Sequence, residues 1–298
     1  MTPRKTYCLP LPPGPRPGDA EGWGRELPLG GRTLVMGILN VTPDSFADGG
    51  LRLDPARALD DGLAMLADGA DILDVGGEST RPGAEPVSAS EELRRVLPLV
   101  EGLAARGALV SIDTYKAVVA REALAAGAVI VNDISGLQYD EGLGGAVAEA
   151  GGGLVLMHNR GRSREMYREA VYGDVAAEVA AELAGAVVRA ERAGVARDAI
   201  VLDPGFGFAK RAAHSYAALA GLERLASLDR PILSGPSRKS FLTEPLGELA
   251  PVERDWATAA AVTASILFGA HLVRVHRVKE MVQVARIADR IRAAAGMP

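Results

Sequence analysis

Eight short apolar runs, separated by polar loops and helical segments rich in Ala and Leu, most narrow the folds open to this chain. They are TLVMGIL (33–39), DILDV (71–75), ALVSI (108–112), AVIVN (128–132), GLVLM (153–157), AIVLD (199–203), PILS (231–234) and HLVRV (271–275). Their hydrophobicity is nearly continuous, as parallel strands covered on both faces require. Helical candidates lie between them at 54–69, 90–107, 115–127, 174–194 and 251–270, and a last one spans 278–296. Several begin at Asp or Ser and end at Gly, residues that cap helices. Eight strand–helix units within 29–298 predict an α/β chain closed into a (β/α)8 TIM barrel, with a doubly wound open sheet as the alternative.

Residues 29–298 read as one barrel domain, and residues 1–28 as a Pro/Gly-rich N-terminal tail whose position would let it cover the barrel's bottom. Aromatic residues make up only 4% of the chain, so its core must be built from Ala, Leu, Val and Ile. A net charge of -5 argues against a general nucleic-acid footprint. Cys8, the single cysteine, cannot form an intrachain disulfide and suits a reducing compartment. Neither a signal-like apolar segment nor a run of membrane-spanning length is present, so no membrane partner and a cytoplasmic location are expected.

In such a barrel the active site forms at the C-terminal ends of the strands. Polar residues collect there: Asn40; Glu78, Ser79, Thr80 and Arg81; Asp113; Asn132 and Asp133; His158; Asp203; Ser237, Arg238 and Lys239; Arg274 and His276. Stability alone does not call for a polar group at nearly every strand end. The arginines and His276, with glycine-containing loops, suit an anion such as phosphate. Asp113, Asn132 and Asp203 suit a flat heterocycle with several N–H donors, since a carboxylate holds a guanidine-like edge through paired hydrogen bonds.

Seven segments in order, MGILNVTPDSFADGG, DVGGESTRPGA, SIDTYK, VNDISG, LDPGFGFAK, SRKSFL and VRVH, resemble the motifs of the dihydropteroate synthases, which are pterin-binding TIM barrels. The resemblance covers residues 35 to 276. It implies a transferase of folate biosynthesis that joins 6-hydroxymethyl-7,8-dihydropterin diphosphate to p-aminobenzoate and releases diphosphate. By that resemblance Asp203, Asn132, Asp113 and Lys239 bind the pterin edges, and Met157 packs on its face. Asn40, Thr80, Arg81, Arg274 and His276 bind diphosphate, and Asn40 is also the position linked to a Mg²⁺ cofactor. Phe46, Pro82, Phe208 and Ser237 surround p-aminobenzoate. Lys239, Arg274, His276 and Asn40 are the catalytic set, and a homodimer is implied.

Other readings sit beside these. A related pterin-binding methyltransferase of the methyltetrahydrofolate/corrinoid type would share the barrel without needing the diphosphate set. A noncatalytic pterin-binding paralogue would show decayed loops or missing anion ligands. Asp133 reads as a structural strand-end carboxylate, and His214 as solvated surface. His158 stands between contacting ligand and supporting those that do. Whether Asp44 and Asp48 touch substrate or metal is left open by the residues alone. Arg277 and Trp256 depart from the family pattern, the first adding charge near the expected diphosphate site.

Overall fold

A computed structural model of the chain describes residues 3–12, 26–42, 55–79, 85–162, 167–168 and 170–296. All eight apolar runs become strands: β3 (Leu34–Asn40), β4 (Ile72–Gly76), β5 (Val110–Asp113), β6 (Ile130–Asp133), β7 (Gly153–Met157), β8 (Ile200–Asp203), β9 (Leu233–Ser234) and β10 (Leu272–Val275). They pair in parallel, in sequence order, with β10 returning to β3. A parallel bridge between Leu202 and Ile232, with Leu202 N–H donating to the Pro231 carbonyl at 2.9 Å, joins β8 to the β9 run. The ring is therefore a barrel, and the open-sheet alternative fails. Around it lie α1 (Pro55–Ala67), α2 (Ala89–Ala104), α3 (Ala117–Ala125), α4 (Leu143–Ala150), α5 (Val175–Arg192), α6 (Ala212–Ala220), α7 (Asp255–Leu267) and α8 (Val278–Ala294).

Successive strand side chains point to opposite faces, so every second residue points into the barrel. Val131, Leu156 and Leu202 face outward into the helix-packed core. Ile72, Ile130, Val155, Val201 and Leu272 instead fill the barrel's lower interior, together with Leu34, Met36 and Leu233. Two residues further along the same inward rows stand Asp74, Asn132, Met157, Asp203 and Arg274. The step from an apolar lower layer to a polar upper one locates the functional end.

The ends of the segment read as an irregular tail are ordered, which corrects that reading. β1 (Tyr7–Pro10) and β2 (Glu26–Leu29) form an antiparallel pair. Leu9, Leu27 and Leu29 are fully buried against the lower interior, the same period-2 rule operating over only four residues. Gly153 makes room for this plug, since a Cβ there would stand 3.1 Å from Leu9 Cδ2. Arg4 pins the arrangement by donating to Thr33 Oγ1 at 2.8 Å, the Ala270 carbonyl at 2.9 Å and Asp289 Oδ1 of α8 at 3.1 Å. Leu9→Ala is expected to lower stability by about 2–5 kcal/mol, the usual cost of truncating a buried leucine. Urea unfolding measures this, and an unchanged midpoint would show that the hairpin does not plug the barrel.

Candidate active site

Asp113, Asn132, Asp203 and Arg274 meet because β5, β6, β8 and β10 each turn an inward position to the mouth at the same height. Arg274 is the hub. Its Nε donates to Asp74 Oδ2 at 2.5 Å and its Nη2 to Asp113 Oδ2 at 2.7 Å. Asn132 Nδ2 donates to the same Asp74 oxygen at 2.9 Å, which turns the amide's oxygen away from that carboxylate. Two buried carboxylates thus share one guanidinium. Burial raises the Asp113 carboxyl to about 7, with Arg274 pulling it down and the neighbouring carboxylates pushing it up. Asp113 Oδ1 has no hydrogen-bond partner among the described residues, leaving a buried acceptor suited to a ligand N–H.

Asp203 is held in the same layer. The Gly205 N–H donates to its Oδ1 at 2.7 Å, and burial raises its pKa against the pull of Lys239. Lys239 lies across the mouth with its Nζ 4.7 Å from the centre of the Phe208 ring. Burial lowers the Lys239 ammonium to about 8, opposed by the charge of Asp203. The turn presenting Lys239 carries Arg238 at φ 57, a left-handed conformation unusual for a side chain of this size. Arg238 is fixed there by Asp255, with Nε–Oδ1 at 2.7 Å and Nη2–Oδ2 at 2.9 Å, and by the Thr258 hydroxyl, which accepts from its N–H at 3.0 Å. Arg238 therefore shapes the turn rather than reaching into the mouth.

Ser237 is tied to His276: the His276 N–H donates to its Oγ at 3.2 Å, and the Oγ lies 2.9 Å from Nδ1 of the same ring. Asn40 ends β3 opposite Gly76, where a Cβ would stand 3.5 Å from both Asn40 Oδ1 and the Asp113 Cβ. Met157 is buried, and its position on β7 pairs it in register with Asp203. Phe46, Thr80, Arg81 and Pro82 lie outside the described residues, as do Asp44 and Asp48.

Asp133 takes the structural role expected of it, accepting from the Ser135 N–H at 2.8 Å, the Ser135 hydroxyl at 2.7 Å and the Leu137 N–H at 2.5 Å. His158 is buried with both ring nitrogens engaged, by Lys210 Nζ at 2.7 Å and Glu182 Oε2 at 3.1 Å. His214 is half-buried with its ring edge-on to Tyr172, not simply solvated. Arg277 is exposed and pairs with Glu280, so its added charge faces outward.

Two contributors were missed in the sequence, Asp74 and Gly205, and a third, Glu78, was read there only as one of the polar strand ends. Asp74 sits inside an apolar run, and its signal was a carboxylate two residues before an inward strand end. Glu78 accepts from Tyr115 OH at 2.8 Å and the Val87 N–H at 3.1 Å and pairs with Lys116, bracing the start of the β4–α2 loop. Gly205, at φ 66, is dictated by contact: a Cβ there would lie 2.1 Å from the His158 carbonyl oxygen. Gly205→Ala is expected to cost about 2–5 kcal/mol, the left-handed backbone and overpacking terms combined. Gly247, also at positive φ but with open space around it, is the control: its alanine variant should lose only about 1–2 kcal/mol. Equal losses in denaturant titrations would discount the close approach.

The pterin binding enzyme family model matches residues 36–276. The chain is 47% identical over 266 residues to the folic acid synthesis protein fol1 of Schizosaccharomyces pombe, covering 87% of this chain but only 36% of that longer protein. It is 43% identical over 281 residues to the dihydropteroate synthase of Synechocystis sp., covering 94% of both chains. The crystal structure of Burkholderia cenocepacia dihydropteroate synthase complexed with 7,8-dihydropteroate superposes with a TM-score of 0.83 at 41% identity, covering 98% of this chain and 99% of that one. With the motifs at the mouth of a closed barrel and two dihydropteroate synthases matched along nearly their full length, the chain belongs to the dihydropteroate synthase family of pterin-binding enzymes.

Proposed function

We propose that the chain condenses 6-hydroxymethyl-7,8-dihydropterin diphosphate with p-aminobenzoate, using the residues at the barrel mouth in the roles that follow. The observation that carries this assignment is the layer of Asp113, Asn132 and Asp203 beside Lys239. It combines buried acceptors for ring N–H groups with a cation for the ring's acceptor side. Asp203 holds the 2-amino and N3 edge, Asp113 and Asn132 the remaining polar edges, and Met157 the ring face. The 7,8-dihydropteroate complexed with the Burkholderia relative supports this reading. That the named relatives are synthases does not favour the methyltransferase alternative.

Chemistry then needs charge stabilisation more than a nucleophile from the protein. As diphosphate leaves the pterin CH2 carbon, the ring delocalises the positive charge left behind, and the arylamine nitrogen attacks that carbon. Arg274 and His276 stand by the departing anion, with Thr80 and Arg81 assigned there by resemblance. Preorganised donors of this kind are worth about 10²–10³ in kcat each. Arg274 reaches this position already held by Asp74 and Asp113, which fixes its orientation before substrate arrives. Its Nη1 makes no hydrogen bond among the described residues. Phe208 and Ser237 border the p-aminobenzoate side, where Phe46 and Pro82 are assigned by resemblance.

Mg²⁺ fits the donor chemistry of the mouth: the hard oxygen of Asn40 lies over the space left by Gly76. Asn40 would hold an ion that keeps much of its water and takes its other oxygens from diphosphate. When bound, such an ion neutralises charge on the leaving group.

A homodimer is the proposed assembly. Trp256 at the start of α7 is 89% exposed and Ile287 on α8 is 64% exposed, an apolar surface on the two helices that the family resemblance favours as interface. Sedimentation should give twice the chain mass, and Trp256→Glu should shift it towards monomer; a monomeric wild type refutes the assembly. Among the described residues no helix is long and apolar enough to cross a membrane, and the exposed thiol of Cys8 suits a reducing cytoplasm.

Turnover tests the function directly. The protein given both substrates and Mg²⁺ should release diphosphate and form dihydropteroate, and failure to form either refutes the proposal. The Lys239 ammonium, lowered to about 8, is present below that pH and lost above it. Accordingly kcat/KM for the pterin substrate should fall about tenfold per pH unit above it. Lys239→Ala should keep its fold and lose turnover. A rate undiminished up to pH 10, or wild-type rates in the variant, removes Lys239 from the site.

A further inference from the structure

We infer that Lys210 is a positioning residue of the active site: it clamps the β8–α6 loop from beneath and so sets Phe208 against the arylamine. The inference rests on the functional reading above, in which Asp203 serves the pterin and Phe208 the arylamine. Lys210 closes the LDPGFGFAK motif and is 1% exposed, yet no carboxylate is bonded to it. Its Nζ instead meets three neutral acceptors: His158 Nδ1 at 2.7 Å, the Gly205 carbonyl at 3.1 Å and the Phe208 carbonyl at 3.1 Å. An ammonium has three N–H donors, one for each. Burying a charge without a bonded counter-ion is unfavourable, and burial does pull this lysine's pKa well down. A Leu or Met would fill the space without that cost. The position makes use of the donors.

The loop needs such an anchor because its backbone is contorted. Gly205, Gly207 and Ala209 all lie at positive φ, at 66°, 76° and 47°. For Ala209 this is a conformation that a residue with a Cβ seldom adopts. The alternation turns the carbonyls of residues 205 and 208 towards the same nitrogen. Without Lys210 the Gly205 carbonyl would keep only the Phe208 N–H, which donates to it at 3.1 Å, and the part-buried Phe208 carbonyl would lose its lysine donor. Two lighter contacts assist: the Tyr172 hydroxyl donates to the Ala209 carbonyl at 3.0 Å, and the Gly207 N–H donates to Ser215 Oγ at 3.1 Å. Asp203 depends less on the clamp, because it belongs to β8 and is paired in register with Met157.

His158 completes the device. Burial lowers its pKa to about 4, so the ring is neutral near pH 7, while the bond from His158 and then Arg160 keep the Glu182 carboxyl at about 2. Nε2–H therefore donates to Glu182 Oε2, and Nδ1 is left as the acceptor that Lys210 requires. Arg160 holds Glu182 in turn and donates to the Val171 carbonyl at 2.6 Å. A chain of bonds thus runs from the β7–α5 connection, through α5, to the loop bearing Phe208.

The test compares Lys210→Met and His158→Leu with wild type by steady-state kinetics, with circular dichroism to verify folding. Each variant should raise KM for p-aminobenzoate about tenfold, with KM for the pterin diphosphate held within about threefold, because a displacement of about 1 Å is enough for such losses. Lys210→Met combined with His158→Leu should be no worse than either alone, since both remove one unit. His158→Gln, which keeps an acceptor, should recover most of the loss. Equal rises in both KM values, a fall in kcat alone, or unchanged kinetics overturns the inference. Failure of both variants to fold gives the pair a purely structural role and overturns it as well. An inactive wild type overturns the functional reading and this inference together, whereas an active wild type with non-selective variants overturns only the inference.

Discussion

The guanidinium of Arg274, shared between Asp74 and Asp113, is the interaction on which the mouth of the barrel depends. Two carboxylates in a buried layer repel each other, and one of them would take up a proton if no cation lay between them. The charge of Arg274 pulls the Asp113 carboxyl down against the upward push of burial, and the two carboxylates in turn fix its planar fork. Asn132 is oriented through the same Asp74 oxygen. The excess of acceptor over donor in this cluster is what a nitrogen-rich ring can satisfy, and the cation beside it is what an anionic leaving group needs. One network therefore serves both halves of the diphosphate substrate.

The barrel beneath keeps that network from spreading. Alternation in each strand is invariant, so the only freedom is which residue type occupies each inward row. The lower rows carry Leu, Ile, Val and Met, and the upper rows Asp, Asn and Arg with Met157 among them. Close approaches then set the loops. Gly205 lies against the His158 carbonyl, and Arg238 takes a left-handed turn held by Asp255 and Thr258. Strain of this sort persists where surrounding contacts over-determine it, and here it surrounds the residues assigned to substrate.

Much of this was legible in the amino-acid order. All eight strands were, because buried parallel strands leave continuous apolar runs, and so were the polar strand ends. Asp74 was not, since one carboxylate within DILDV looks like noise until the inward rows are known. The hairpin at residues 7–10 and 26–29 was hidden by the Pro- and Gly-rich composition between its strands and by their shortness. Its burial comes from fitting Leu9 over Gly153, more than a hundred residues away, and no local pattern reports that. The clamp at Lys210 was hidden in part for the same reason: besides two carbonyls of its own loop, it needs His158 from just beyond β7.

Arg4 has a topological consequence. It joins the first described residues to Asp289, near the end of α8, at the closed end of the barrel. The beginning and end of the fold are therefore neighbours on the side away from the mouth. A short connection could splice them, and new ends could be opened in an exposed loop elsewhere, without passing near Arg274 or Lys239. The order of the eight units around the ring is thus separable from the point at which the chain starts, and circular permutation is a geometric freedom of this barrel.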